Sequence, residues 1–280
     1  MKSIILSLLC MPLISMKTTG AFANESSDGE KLMNVSYGTA PGQQMDIYLP
    51  ANRNALTTHS IILIHGGAWS SGSRKTFNHH VDSFLNRLPG YAIFNVDYRL
   101  VTSATLFPAQ EYDIKAAVDF ISANAERYEI NRDKLILLGV SAGGHLALLQ
   151  AYKHGTPKVA AVIDFFGPSD LEIMYKKPWH PMIPFLLQNL LGGSPETSMQ
   201  AYRNASPVSF MSTTSPPTLI FHGRKDRTVN ISQSELLQKK LQVAGVKNKL
   251  VVYDRAAHGW YGALLSDSYD KIESFLKSLL

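Results

Sequence analysis

Cysteine is almost missing: Cys10 is the only one in 280 residues. A single thiol excludes an intrachain disulfide framework and thiolate metal clusters, so packing has to stabilise the fold. A charge excess is missing too. The 27 Lys+Arg and 22 Asp+Glu give a formal +5, and the basic residues are scattered rather than run together with aromatics. That pattern gives no argument for a nucleic-acid partner. No apolar run approaches the ~20 residues a bilayer span needs, so no stable membrane anchor is expected. There is no internal repeat and no low-complexity tract. His, Asp and Glu do not cluster at metal-ligand spacing. The nearest group, His79-His80-x-Asp82, reads as a solvated helix face, so neither a metal nor an organic cofactor is expected.

The N-terminus reads as a targeting segment. Lys2 is a minimal positive region, Ile4 to Ile14 an apolar core, and Ala21-Phe22-Ala23 a small-x-small cleavage site. The expectation is a signal peptide over 1–23, a mature chain from Asn24, and export to the periplasm or beyond. A buried N-terminal helix is the alternative, but Lys17-Thr18-Thr19 carries no amphipathic period. Lipoprotein processing at Cys10 would want a small residue where Leu8-Leu9 stands. Cleavage removes Cys10, which excludes a thiol nucleophile. It also removes Lys2 and Lys17, taking Lys+Arg from 27 to 25 against 22 acids, about +3.

What is abundant is apolar material, 45% of residues, enough for one domain over 24–280. Met33–Tyr37 and Gln44–Tyr48 alternate around Pro41-Gly42, as an edge hairpin does. Ser60–Ile64, Ala92–Val96, Lys134–Leu138, Val159–Ile163, Thr218–Phe221 and Lys249–Tyr253 are continuous apolar runs, as in strands buried on both faces. Helical patterns lie between them at Phe77–Arg87, Gln110–Arg127, Ser141–His154, Ile231–Ala244 and Tyr269–Leu279. The alternation predicts an α/β fold, a mostly parallel sheet with helices on both faces. Residues 168–207 break the rhythm. Their apolar Ile183–Leu191 stretch reads as a small helical cap over the carboxyl edge of the sheet, with an elaborated surface loop as the alternative.

Gly139-Val140-Ser141-Ala142-Gly143 matches G-x-S-x-G between a strand and a helix. In that context the serine sits on a sharp turn with its oxygen exposed and a helix N-terminus aimed at the reacting centre. An ordinary glycine-rich turn is the alternative for the motif alone. His65-Gly66-Gly67-Ala68-Trp69 follows an earlier strand, and the backbone N–H groups of Gly66, Gly67 and Ala142 are candidate oxyanion donors. A serine needs a base, and the base an orienting carboxylate, in the chain order Ser, acid, His. His258 follows the last strand. Asp226 follows the strand before it and is preferred to Asp254 and Asp164. His79 and His80 fall in a surface helix, and His145 reads as packed or capping. Trp69 and Trp260 flank these loops and read equally as pocket lining or as core.

HGGAW, Asp97-Tyr98-Arg99-Leu100, Phe107-Pro108-Ala109-Gln110 with Asp113, GVSAGGHLA, Asp164-Phe165-Phe166-Gly167-Pro168, HGRKD and AHGW occur in that order. Over roughly Asn34 to Leu280 the chain resembles the α/β-hydrolase esterases and lipases with an HGG oxyanion motif. Within them it is most similar to the bacterial feruloyl- and acetyl-esterase-like branch, often found among carbohydrate-degrading enzymes. The resemblance implies a roughly eight-stranded α/β-hydrolase sheet with a cap insertion. It also implies Ser141, Asp226 and His258 as a triad, and Asp97, Arg99 and Asp113 as loop-holding residues. The expected activity is hydrolysis of short-chain acyl or aromatic-acid esters, on a small molecule or a carbohydrate, through an acyl-enzyme. An amide hydrolase such as an arylformamidase is the alternative, and a binding protein on a hydrolase scaffold a more remote one. Oligomeric state is not readable.

Overall fold

The structure is a computed structural model and describes residues 29–279. The expected signal peptide and its cleavage site lie outside the described residues. Gln43 N–H donates to Ala40 O at 2.9 Å and closes the turn around Pro41-Gly42. It joins β1 (Glu30–Ser36) to β2 (Gln44–Leu49) as an antiparallel hairpin, the pairing anticipated from their alternation. The buried apolar runs then form β3 (Ser60–Ile64), β4 (Ala92–Val96), β5 (Leu135–Val140), β6 (Val159–Phe165), β7 (Thr218–Gly223) and β8 (Asn248–Tyr253). The described strands make one sheet in the order β1-β2-β4-β3-β5-β6-β7-β8. β1 and β2 are antiparallel to their neighbours, and every pairing from β4 through β8 is parallel.

Successive side chains of a strand face opposite layers. Ile62 and Ile64 of β3 pack with α2 (Ala109–Ala123), α3 (Ala142–Lys153) and α7 (Ser232–Val243). Ile61 and Leu63 pack on the other face with α1 (Asn78–Arg87) and α8 (Ala263–Lys277). Leu135 and Leu137 against Ile136 and Leu138 repeat the division in β5. α3 is buried from Ala142 through Gln150, which explains why its sequence is apolar almost all round.

Between β6 and β7 lie three helices, α4 (Leu171–Lys176), α5 (Ile183–Leu191) and α6 (Pro195–Asn204). Asp170 caps α4 by accepting from Ile173 N–H at 2.9 Å. α5 starts with proline in its first turn and stops at Gly192, whose φ of 75° lies in the left-handed region. Leu171, Leu187, Leu190 and Tyr202 join these helices to the α2–α3–α7 layer. Phe185 and Met182 stay exposed. Among the described residues no helix is long and apolar enough to cross a membrane. Because β3 and β5 through β8 run parallel, the loops bearing Gly66, Ser141, Phe166, Asp226 and His258 all leave from one edge of the sheet.

Candidate active site

Ser141 joins β5 to α3 with φ 55° and ψ −117°, a conformation costly for a residue with a Cβ. Its neighbours explain how the turn is held. A Cβ on Gly139 would lie 2.2 Å from Gly143 O, and one on Gly143 would lie 2.1 Å from Ile64 O. Both positions therefore require glycine, and the turn is clamped between β3 and its own helix. Ser141 N–H donates to Phe165 O at 2.8 Å, which ties the turn to β6 as well.

His258 Nε2 lies 2.9 Å from Ser141 Oγ, and His258 Nδ1 lies 2.7 Å from Asp226 Oδ2. Asp226 is buried, and its Oδ1 accepts from the N–H groups of Thr228 at 2.7 Å and Val229 at 3.0 Å. Burial alone would raise its pKa. Hydrogen bonds from His222, His258 and the Thr228 backbone outweigh that and hold the carboxyl well below the usual carboxylate range. A fixed carboxylate at Nδ1 leaves Nε2 of neutral His258 as a lone pair facing the serine hydroxyl. The loops carrying acid and base pack closely: a Cβ on Gly223 would sit 2.2 Å from Ala257 O, and Lys225 N–H donates to Ala256 O at 2.9 Å.

The rival carboxylates lie elsewhere. Asp254 is exposed and pairs with Arg224 at 2.6 Å. Asp164 is fully buried behind the serine turn, with Oδ1 accepting from Gly167 N–H at 2.9 Å. A Cβ on Gly144 would meet that oxygen at 2.3 Å.

Gly66 packs against the serine turn, where a Cβ would lie only 2.8 Å from Val140 O. The loop then passes through three consecutive left-handed residues, Gly67, Ala68 and Trp69, with φ of 119°, 52° and 60°. Gly67 O accepts from Ser70 and Ser71 N–H, which closes the loop on itself. Trp69 is buried at 2% exposure, so it is largely core, with an edge on a cavity beside Ser141. Its Nε1–H donates to His145 Nδ1 at 3.1 Å, so His145 must donate through Nε2, to Ala205 O at 2.6 Å. Burial lowers the His145 pKa to about 4, so the ring is neutral and joins the Gly66–Trp69 loop, α3 and the end of α6. Trp260 is also mostly core: Nε1–H donates to Ser268 Oγ at 2.9 Å while the ring edges a second cavity.

The loop-holding residues do hold loops. Asp113 is fully buried and takes Arg99 Nη2 at 2.7 Å and Gln43 Nε2 at 2.7 Å. Asp97 binds both the backbone N–H and the guanidinium of Arg74, whose Nε lies 2.9 Å from Asp46 Oδ2.

Two cavities open from Ser141. The larger, ≈ 450 Å³, is lined by Gly66, His80, Phe166, His258 and Trp260 among others. The smaller, ≈ 230 Å³, is lined by Ala142, Met174, Ile183, Leu186 and Val229. Two features here escaped the sequence reading. His80 is not on a solvated face: it is 7% exposed, with Nδ1 2.7 Å from Tyr269 Oη of α8. Phe166, with φ 45°, places its ring 4.5 Å from that of His258. Among the described residues no three His, Cys, Asp or Glu side chains converge as metal ligands.

A family model described as BD-FAE matches residues 45–241. The chain belongs to the BD-FAE family. It is similar to "Probable carboxylic ester hydrolase LipM" of Mycobacterium tuberculosis, 30% identical over 233 residues, 78% of this chain and 53% of that protein. "Esterase LipC" of the same organism is 27% identical over 222 residues, 74% of this chain and 54% of the other. The chain thus spans about half the length of the curated relatives it matches. A solved structure titled "Truncated form of carbohydrate esterase from gut microbiota" superposes with a TM-score of 0.74 at 24% identity, covering 89% of this chain and 97% of that one. This BD-FAE chain has the α/β-hydrolase fold, its mostly parallel eight-stranded sheet included.

Proposed function

We propose that this BD-FAE protein is a serine carboxylic-ester hydrolase that cleaves short-chain acyl or aromatic-acid esters through an acyl-enzyme. The observation that carries the reading is the unbroken chain from Ser141 Oγ through His258 to a buried, ionised Asp226. In the proposed mechanism His258 Nε2 takes the hydroxyl proton as Ser141 attacks the ester carbonyl. The backbone N–H groups of Gly66, Gly67 and Ala142 receive the developing oxyanion, one such donor being worth about 2.7–4 kcal/mol in the transition state. His258 then returns the proton to the leaving alcohol, and water enters to free the acyl group by the same route in reverse. The names of LipM, LipC and the gut carbohydrate esterase support the ester class.

The test is turnover of p-nitrophenyl acetate and butyrate against an N-formyl aromatic amide, with Ser141→Ala alongside. Ester turnover that falls by on the order of 10⁶ in the variant fits the proposal. Faster amide turnover moves the protein to the amidase class. No labelling of folded protein by a fluorophosphonate leaves only a binding role. We further propose export through the segment 1–23. Protein recovered from periplasm or medium then begins at Asn24, and recovery from the cytosol with Met1 intact defeats that reading.

A further inference from the structure

The two cavities that meet at Ser141 share Ala68, Ser141 and Thr228, but His258 lines only the larger. If the ester-hydrolase reading holds, on which this inference rests, the leaving oxygen must reach His258 Nε2 to take its proton. The alcohol half of the ester then lies in the ≈ 450 Å³ cavity and the acyl half in the ≈ 230 Å³ one.

The walls of the alcohol side are unlike those of the acyl side. Phe77, Phe166, Trp260 and Tyr261 surround it with aromatic surface, and His80 is set among them. The His80 ring centroid lies 4.6 Å from that of Phe77, and its Nδ1 is held by Tyr269 Oη at 2.7 Å. Its Nε2 has no hydrogen-bond partner among the described residues. Burial lowers the pKa of this imidazole to about 3, so it is neutral in ordinary buffers. A neutral imidazole offers either a donor or an acceptor at Nε2, depending on which way the Tyr269 contact is made. A hydroxyl group answers both cases, whereas an ether or carbonyl oxygen answers only one. Aromatic walls in turn favour a ring, planar or pyranose, over an alkyl chain.

We propose that His80, positioned by Tyr269, binds a second hydroxyl of the leaving alcohol. The preferred ester is then one whose alcohol is a ring bearing a further free hydroxyl. A sugar and a hydroxylated phenol share that chemistry, and the substrate pairs below separate them.

The experiment keeps the acyl group constant as acetate. It compares a methyl glycoside monoacetate with cyclohexyl acetate, and catechol monoacetate with phenyl acetate. In the wild type kcat/KM favours the hydroxylated member of at least one pair. His80→Phe keeps a ring in the aromatic nest and removes both nitrogens. The hydroxylated-over-plain ratio is expected to fall roughly tenfold, the size of one hydrogen bond. His80→Gln, with a donor and an acceptor restored, is expected to recover part of it, and Tyr269→Phe to give an intermediate loss. The pair that responds identifies the leaving group as sugar or phenol. An unchanged ratio in His80→Phe overturns the inference, and so does an equal fall for both members, which marks a packing role. Those outcomes leave ester hydrolysis standing. A wild type that cleaves none of the four acetates overturns this inference, and one that also cleaves neither p-nitrophenyl esters nor methyl ferulate overturns the hydrolase reading with it.

Discussion

Asp164 carries a pH signature that its asparagine variant should erase. Burial, partly offset by Gly167 N–H and His222, pushes this carboxyl from 3.8 up to about 7. Between those values the folded chain keeps a proton that the unfolded chain has released. The native state then binds more protons than the unfolded one, so stability falls as pH rises through the window. At 1.36 kcal/mol for each pH unit, the full penalty above pH 7 is about 4 kcal/mol, and roughly 2–3 kcal/mol of it accrues between pH 5 and 8. Asp164→Asn retains the oxygen that accepts from Gly167 and has nothing to titrate. The amide nitrogen replaces Oδ2, an atom without a partner among the described residues, and that cost is the same at every pH. Urea unfolding of both proteins at pH 5, 6, 7 and 8 should therefore show the variant gaining on the wild type by roughly 2–3 kcal/mol across the range. Absolute slopes mislead here, because buried His80 and His145 have pKa values lowered to about 3 and about 4 and act in the opposite sense below pH 6.5. They are common to both proteins and cancel in the difference. Asp226 and Glu111, both lowered, act below their ordinary values and outside the window. Parallel stability curves for the two proteins would refute the assignment of a protonated Asp164 behind the serine turn.

Other perturbations separate the remaining claims. Asp226→Asn should cut kcat by about 10⁴ by removing the carboxylate at His258 Nδ1, whereas Asp254→Asn, at an exposed ion pair, should change it less than about twofold; comparable losses would refute the choice of acid. Leu186 and Met182 line both the ≈ 230 Å³ cavity and an adjoining groove of ≈ 590 Å³. Leu186→Ala should join them and favour longer p-nitrophenyl esters, with each further methylene worth at most ~0.8 kcal/mol, or about fourfold; an unshifted chain-length optimum argues against acyl binding there. Trp69→Phe leaves His145 Nδ1 buried without its donor, so a loss of about 1–3 kcal/mol in unfolding free energy is expected, together with a lower kcat; a fall in stability without any fall in kcat would mean that the Trp69–His145 bond does not position the oxyanion loop.

How much could be read beforehand depends on how local each cause is. Ser60–Ile64 and Ala92–Val96 match β3 and β4 residue for residue, because strands buried on both faces need unbroken apolar runs. The serine turn was legible for a similar reason: glycines at 139 and 143 are dictated by backbone within a few ångströms. Helix α8 begins at Ala263, six residues before the Tyr269 start of its pattern, since polar Ser266-Asp267-Ser268 separates Leu264 and Leu265 from the apolar period that follows. His80 shows where such reading stops. Beside His79 and Asp82 it looks like part of a wet helix face, and α1 does expose both of those neighbours. Its burial comes from Tyr269, 189 residues away, and from the Phe77 ring. Asp164 is a parallel case, since a strand-end carboxylate reads as an acid in waiting until the packing of Gly144 and Gly167 closes water off from it. The polar residues whose roles stayed hidden in the sequence are thus those desolvated by distant elements. The same desolvation sets their protonation, so pH-resolved experiments on Asp164 and leaving-group experiments on His80 probe one physical cause at two places in the fold.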